Sequence, residues 1–93
     1  MEVEFEYNPH KSEVNFEKHG ILLEAAQQLW GTLAVTIPAR TIGEPRWMII
    51  GYIDVTLYAC IFTERLDKIR LISLRKASKK EGVIYHETIK KEN

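Results

Sequence analysis

The chain has 93 residues, of which 45% are hydrophobic and 28% charged. Because independent domains cluster at roughly 100 to 150 residues, we expect one domain over residues 1–93. The composition excludes disordered and fibrous classes. Residues 1–45 hold three basic and seven acidic side chains, and residues 46–93 hold ten and six. This uneven charge is compatible with an anionic ligand bound on one face.

Cysteine, histidine and hydropathy patterns exclude several further classes. A single Cys60, within an apolar run, excludes an intrachain disulfide and predicts a buried, inert thiol. His10, His19 and His86 lack the spacing of metal ligands, so neither a metal nor another cofactor is expected. The chain start lacks a signal pattern, and no apolar run approaches the roughly 18 residues of a membrane span. We therefore expect a cytoplasmic protein without a membrane partner.

The first third of the chain predicts a strand and two helices. Val3 to Tyr7 alternates apolar and acidic residues, as a half-buried strand does. Asn8-Pro9 is a helix-start signal, and His19-Gly20 is typical of a helix end. Apolar residues at helical spacing predict a second amphipathic helix that ends before Gly31: Leu22, Ala25, Ala26, Leu29 and Trp30.

The remainder predicts four strands. Leu33 to Ile37 is strand-like and stops at Pro38, where an exposed connection leads to Pro45. Three β-rich runs follow, separated by tight turns at residues 54–55 and 64–67: Arg46–Asp54, Thr56–Thr63 and Lys68–Arg75. Such short connections predict antiparallel neighbours.

The chain end completes an α+β pattern. Ser78 and Glu81 have the spacing of a capping box and predict a helix to about Lys90. The element order is therefore β-α-α-β-β-β-β-α. This order predicts a small antiparallel sheet with helices packed on one face.

The most informative segment is residues 63–80, which carries seven basic and two acidic side chains. Arginines fixed on a strand bind phosphate oxygens in a bidentate fashion. The alternative interpretation is a solvated charged rim followed by an ordinary helix start. Ser73 and Arg75 share a face in a regular strand, whereas Arg70 lies on the other. A common site therefore requires a β-bulge or a reach around the strand end through Arg65.

Four motifs in order along the chain support the interpretation as a phosphate-binding strand. The first consists of Tyr7-Asn8, Lys11, Asn15 and Lys18-His19-Gly20, and the second is Glu24-Ala25. The third is Glu44-Pro45-Arg46 followed by Ile50-Gly51, and the fourth is Thr63-Glu64-Arg65 followed by Arg70 to Ala77, Glu81 and Tyr85. Together they resemble the BrnT toxins of bacterial toxin-antitoxin systems, over residues 5 to 85. The chain departs from that family's pattern at Asn8, Leu74 and Gly82, where an aspartate, a small residue and an arginine are usual.

The resemblance implies a RelE-like fold and a metal-independent endoribonuclease that cleaves RNA and inhibits translation. It also implies a cognate BrnA-like antitoxin and contact with promoter DNA only through the complex with that antitoxin. A homodimer stays possible under this resemblance. The alternative is a catalytically degenerate domain that binds a partner protein and takes part in transcriptional autoregulation. A direct DNA-binding module is not favoured, because no recognition-helix or zinc pattern is present.

The site residues that the resemblance implies fall into three groups. Catalysis and phosphate stabilisation are assigned to Arg65, Arg70, Ser73 and Arg75. RNA binding is assigned to Lys18, Arg46, Lys76, Lys79 and Lys80. The candidates for proton transfer are Glu44, His19 and Tyr85. Trp47 and Tyr52 are candidates for stacking on bases, with a role in the core as the alternative.

Overall fold

The computed structural model describes residues 3–41 and 43–92. In chain order the elements are β1 (Glu4–Glu6), α1 (Pro9–His19), a 3₁₀ helix (Leu23–Gly31), β2 (Ala34–Pro38), β3 (Trp47–Ile53), β4 (Thr56–Arg65), β5 (Lys68–Lys76) and α2 (Lys79–Glu92). The α+β class and the order of elements are confirmed. The residues around Pro38 to Pro45 form the expected connection, of which Ile42 lies outside the described residues.

One five-stranded sheet has the order β1-β5-β4-β3-β2. Strands β2 to β5 form the predicted antiparallel meander. β1 instead runs parallel to β5, so the sheet is mixed rather than wholly antiparallel. The alternation in β1 predicted a strand but carried no information on its partner, because a strand far from its neighbour in sequence can pair in either direction.

The second helix is a 3₁₀ helix, and the expectation of an α-helix was wrong in type. Its fully buried residues are Leu23, Ala26 and Leu29, which are spaced by three. A 3₁₀ helix has three residues per turn, so this spacing places all three on one face. The Ala25 N–H donates to the Leu22 carbonyl, three residues back, over 3.1 Å.

Helices cover both faces of the sheet, so the expectation of one covered face was wrong. On the first face the 3₁₀ helix packs on the larger core, which includes Ile49 and Cys60. On the second face α2 covers a smaller core formed by Val35, Ile50, Ala59 and Tyr85. β3 and β4 carry apolar side chains on both faces, and each face must therefore be covered.

The predicted caps are present at both α-helices. Asn8 accepts hydrogen bonds from the backbone of α1, and Gly20 ends that helix with a φ of 74°. At α2, Ser78 and Glu81 exchange the two reciprocal bonds of a capping box. β4 extends two residues beyond its predicted end to Arg65, because the turn to β5 occupies only Leu66 and Asp67.

Asn15 joins α1 to the edge of β5. Its buried carboxamide donates to the carbonyls of Ile21 and Leu74, each over 2.8 Å, and accepts from the Leu74 N–H over 3.0 Å. β1 pairs with β5 only at residues 68–70. The carboxamide therefore satisfies the Leu74 backbone where a neighbouring strand would otherwise do so.

Replacing Asn15 by leucine tests this link. We expect the free energy of unfolding to fall by about 2–4 kcal/mol, because buried backbone groups lose their partners. Thermal unfolding should show a midpoint lower by at least about 10 °C. Gln27→Leu, at an exposed position of the 3₁₀ helix, should change stability by less than about 0.5 kcal/mol. Equal midpoints for the two variants would contradict the role of Asn15.

Candidate functional site

A β-bulge in β5 gathers the predicted strand residues on one face. Leu71 pairs with Phe62 and Ser73 pairs with Ile61, which leaves Ile72 as an extra residue. Leu71 and Leu74 consequently both enter the larger core although they are three residues apart.

The same bulge brings Arg70 to the face of Ser73 and Arg75. These three residues pair with Thr63, Ile61 and Ala59, which alternate along the regular strand β4. Ala59 belongs to the smaller core, so all three lie on the second face. The bulge thus supplies the geometry that a common site required.

Four charged residues form what we call the arginine cluster: Glu44, Arg46, Arg65 and Arg70. Arg65 Nη2 lies 2.9 Å from Glu44 Oε1. Chiefly this hydrogen bond, with help from the charges of all three arginines, lowers the pKa of Glu44 below its ordinary value. The Nε atom of Arg46 is buried and has no partner within residues 3–41 and 43–92. On β1, Glu6 Oε1 lies 3.5 Å from Arg70 Nη1.

Thr63 positions the segment that carries Glu44 and Arg46. Its side chain is 2% exposed, and its hydroxyl donates to the Pro45 carbonyl over 2.7 Å. This bond fixes an otherwise exposed connection to the central strand β4. The cluster is therefore held by the strands rather than by a free loop.

A groove between α1 and β5 collects other predicted residues, among them Ser73, which shares a sheet face with Arg70. It has a volume of about 250 Å³. Its lining residues are Lys11, Val14, Asn15, Lys18, His19, Ile72 and Ser73. We call it the α1–β5 groove. The sequence motif contains Lys11 but indicates no role for it, because its approach to β5 depends on how α1 docks.

Arg75 is bound by Glu81 rather than free. Its two Nη atoms donate to the two carboxylate oxygens over 2.7 and 2.8 Å. This pair lowers the pKa of Glu81 from 4.5 to about 2. Because the Glu81 carboxylate also accepts from the Ser78 N–H, Arg75 secures the start of α2 to the sheet. The geometry favours a positioning role for Arg75.

Several other predicted residues are not brought to the cluster. Lys76 pairs with Tyr58, whose side chain packs against the larger core, so Lys76 lies on the opposite face from Arg75. Lys79 and Lys80 are exposed at the start of α2.

Two of the three aromatic candidates pack within the protein, and Tyr52 is partly exposed. Tyr85 is 5% exposed, and its hydroxyl donates to the Leu33 carbonyl over 3.0 Å. Burial raises its pKa, so it is poorly suited to proton transfer. Trp47 packs against the larger core, and Tyr52 lies edge-on to Tyr85. These contacts favour the core alternative for Trp47, whereas Tyr52 is 38% exposed and its stacking role stays a prediction.

Cys60 is fully buried, and burial raises the pKa of its thiol to about 12. Within residues 3–41 and 43–92, no group of three His, Cys, Asp or Glu side chains is arranged to hold a metal ion. In the same ranges, the helices are too short or too polar to cross a membrane.

The fold and site define a small α+β protein that presents arginine, lysine and serine side chains around one strand, a surface suited to phosphate groups. Residues 7–81 match the model of a family described as the ribonuclease toxin BrnT of type II toxin-antitoxin systems. Because this match spans most of the chain, the protein belongs to the BrnT family.

A solved structure supports the fold. The crystal structure of the Brucella abortus ribonuclease toxin BrnT aligns with a TM-score of 0.65 and 22% identity. The alignment covers 84% of this chain and 100% of that one. At this identity the likeness shows the fold alone. No curated protein matches the chain in sequence.

Replacing Glu81 by glutamine should lower the free energy of unfolding by about 1–2 kcal/mol at pH 7, since charge-assisted hydrogen bonds to Arg75 are weakened. The pKa of Glu81 is depressed in the folded state. Its stabilisation is therefore complete above about pH 4.5 and is lost as the pH falls toward 2. Thermal midpoints of the wild type and variant should converge over that interval. Glu87→Gln, on the exposed side of α2, is the control; a gap independent of pH would contradict the assignment.

Proposed function

We propose that this protein is a toxin that cleaves RNA without a metal ion and thereby inhibits translation. The observation that carries the proposal is the bulge at Ile72, because of which Arg70 and Ser73 lie on the same sheet face as Arg65. The charge of Arg46 also acts on Glu44, which Arg65 binds. Guanidinium groups held on strands are suited to the negative charge that develops on phosphorus during phosphodiester cleavage. Membership of a ribonuclease toxin family supports the same reaction class.

The reaction that fits this inventory is attack by a ribose 2′-hydroxyl on the adjacent phosphorus. A base removes the hydroxyl proton as the O2′–P bond forms. The P–O5′ bond then breaks, and an acid protonates the departing O5′. The products are a 2′,3′-cyclic phosphate and a 5′-hydroxyl end. Arg46, Arg65 and Arg70 stabilise the phosphorane oxygens, and Ser73 donates a hydrogen bond to one of them.

Glu44 is assigned as the base. Its carboxylate lies among the three arginines and is ionised at neutral pH, as a glutamate ordinarily is. The arginines lower its pKa, which weakens it as a base until an RNA phosphate takes up their charge. An ionised carboxylate beside the phosphate site can accept the 2′-hydroxyl proton. The same low pKa makes Glu44 unsuited to act as the acid.

His19 is assigned as the acid. It lines the same groove as Ser73, whereas the hydroxyl of Tyr85 already donates within the protein. An imidazolium group can donate a proton to the departing oxygen.

The partners follow from the family. We propose a cytoplasmic protein that is neutralised by a cognate BrnA-like antitoxin. Contact with promoter DNA would occur only through the complex with that antitoxin. A type II system, to which the family belongs, pairs a protein toxin with a protein antitoxin.

The double variant Arg46→Ala, Arg70→Ala tests the site. We expect purified variant protein in EDTA to cleave RNA at least about 100-fold more slowly than the wild type, because guanidinium groups facing the phosphate are removed. Induced expression should no longer inhibit growth. Lys90→Ala, Lys91→Ala, at the far end of α2, is the matched control. Full cleavage by the arginine variant would refute the site assignment.

The alternative is a partner-binding domain without catalysis. Its support is that Arg65, Arg70 and Arg75 each pair with a glutamate, which compensates their charge. Incubating wild-type protein with RNA separates the two functions. Retained partner binding with no cleavage, either in EDTA or with Mg²⁺, would favour this alternative.

A further inference from the structure

The α1–β5 groove has a regular origin in the helix. Lys11, Val14, Asn15 and Lys18 are spaced i, i+3, i+4 and i+7, so they form one stripe along α1. Asn15 fixes this stripe against β5 through the Leu74 backbone. The two lysines are separated by about 10 Å of helix, given a rise of 1.5 Å per residue. They therefore bracket the groove along its length.

The charge of this groove is not compensated in the way that the charge of the arginine cluster is. Within the described ranges, neither Lys11 nor Lys18 forms an ion pair. Arg65 and Arg70, by contrast, have carboxylate partners. The groove thus presents two free ammonium groups that can bind an anion without displacing a glutamate.

The space between the lysines is partly apolar. Val14 and Ile72 line it, and Ile72 is the extra residue of the bulge. The carboxamide of Asn15 also lines the groove, but its nitrogen and its oxygen already have backbone partners. An apolar centre with cationic ends matches a nucleoside linked to phosphates on either side.

Size and position indicate which nucleic acid the groove accepts. Its volume of about 250 Å³ is near the roughly 300 Å³ of the smallest sites for drug-sized ligands, which is enough for one nucleoside. Ser73 belongs both to the groove and to the sheet face that carries Arg70. An RNA strand bound in the groove would therefore continue directly to the arginine cluster.

We propose that the α1–β5 groove binds the nucleotide next to the scissile phosphate and thereby restricts the substrate to single-stranded RNA. This inference rests on the proposed function. Lys11 and Lys18 hold the phosphates on either side of the bound nucleoside, whose base packs between Val14 and Ile72. A base that packs between these two side chains has left its stack and its pair, so this mode of binding does not suit double-stranded RNA.

Binding of a fluorescent, fully 2′-O-methylated RNA of ten nucleotides tests the groove. This probe lacks the 2′-hydroxyl, so its affinity does not depend on cleavage. Lys11→Ala, Lys18→Ala should weaken binding of the single strand about tenfold and reduce the salt slope by about 1.4. Lys90→Ala, Lys91→Ala should leave the affinity for the single strand and its salt slope unchanged. The duplex form of the probe should bind the wild type more weakly than the single strand.

The inference would be overturned if Lys11→Ala, Lys18→Ala and Lys90→Ala, Lys91→Ala bound the single-stranded probe with equal affinity. It would also be overturned if wild-type protein bound the duplex and the single strand equally. Failure of the proposed function has a different signature, which is intact unmodified RNA after incubation with wild-type protein. Crosslinking of wild-type protein to RNA that contains 4-thiouridine gives a readout that needs no variant. Crosslinks should map to residues 11–19 and 72–73, and crosslinks confined to α2 would contradict the groove.

Discussion

The structure depends on the buried carboxamide of Asn15. β5 is flanked by β1 over only three residues, and beyond them its edge would expose unpaired backbone groups to the interior. An asparagine side chain has the two donors and one acceptor needed to serve Leu74 and Ile21 together. An ionised aspartate at this position lacks the donors, and an apolar residue lacks the donors and the acceptor. This contact fixes the position of α1, and with it Lys11, Lys18 and His19, relative to the sheet.

The bulge at Ile72 acts on the same stretch of β5. Without it, Arg70 and Ser73 would lie on opposite faces. With it, the larger core retains both Leu71 and Leu74, while the polar residues move to the second face. One extra residue therefore reconciles a continuous apolar core with a polar site. It also places the Ile72 side chain at the wall of the groove, so the two halves of the proposed site share one local irregularity.

Carboxylates organise the arginines of this face. Glu44 binds Arg65, Glu6 lies near Arg70, and Glu81 holds Arg75. Such pairs limit side-chain motion before any ligand arrives, which lowers the entropic cost of binding. They also reduce the net charge, so a phosphate must compete with a carboxylate for Arg65 and Arg70. Arg46 differs, because its buried Nε has no partner in the described ranges.

The sequence by itself determined the elements whose signals are local: the Asn8 cap, the Gly20 stop, the Ser78 and Glu81 capping box and the antiparallel meander. It also indicated the family through its motifs. The 3₁₀ helix, the parallel β1, the covering of both faces and the bulge at Ile72 were decided by tertiary structure. Each depends on contacts between residues far apart in the chain, which local propensity does not encode. For the same reason, the sequence predicted arginines on a strand, whereas only the packed sheet decided which of them share a face.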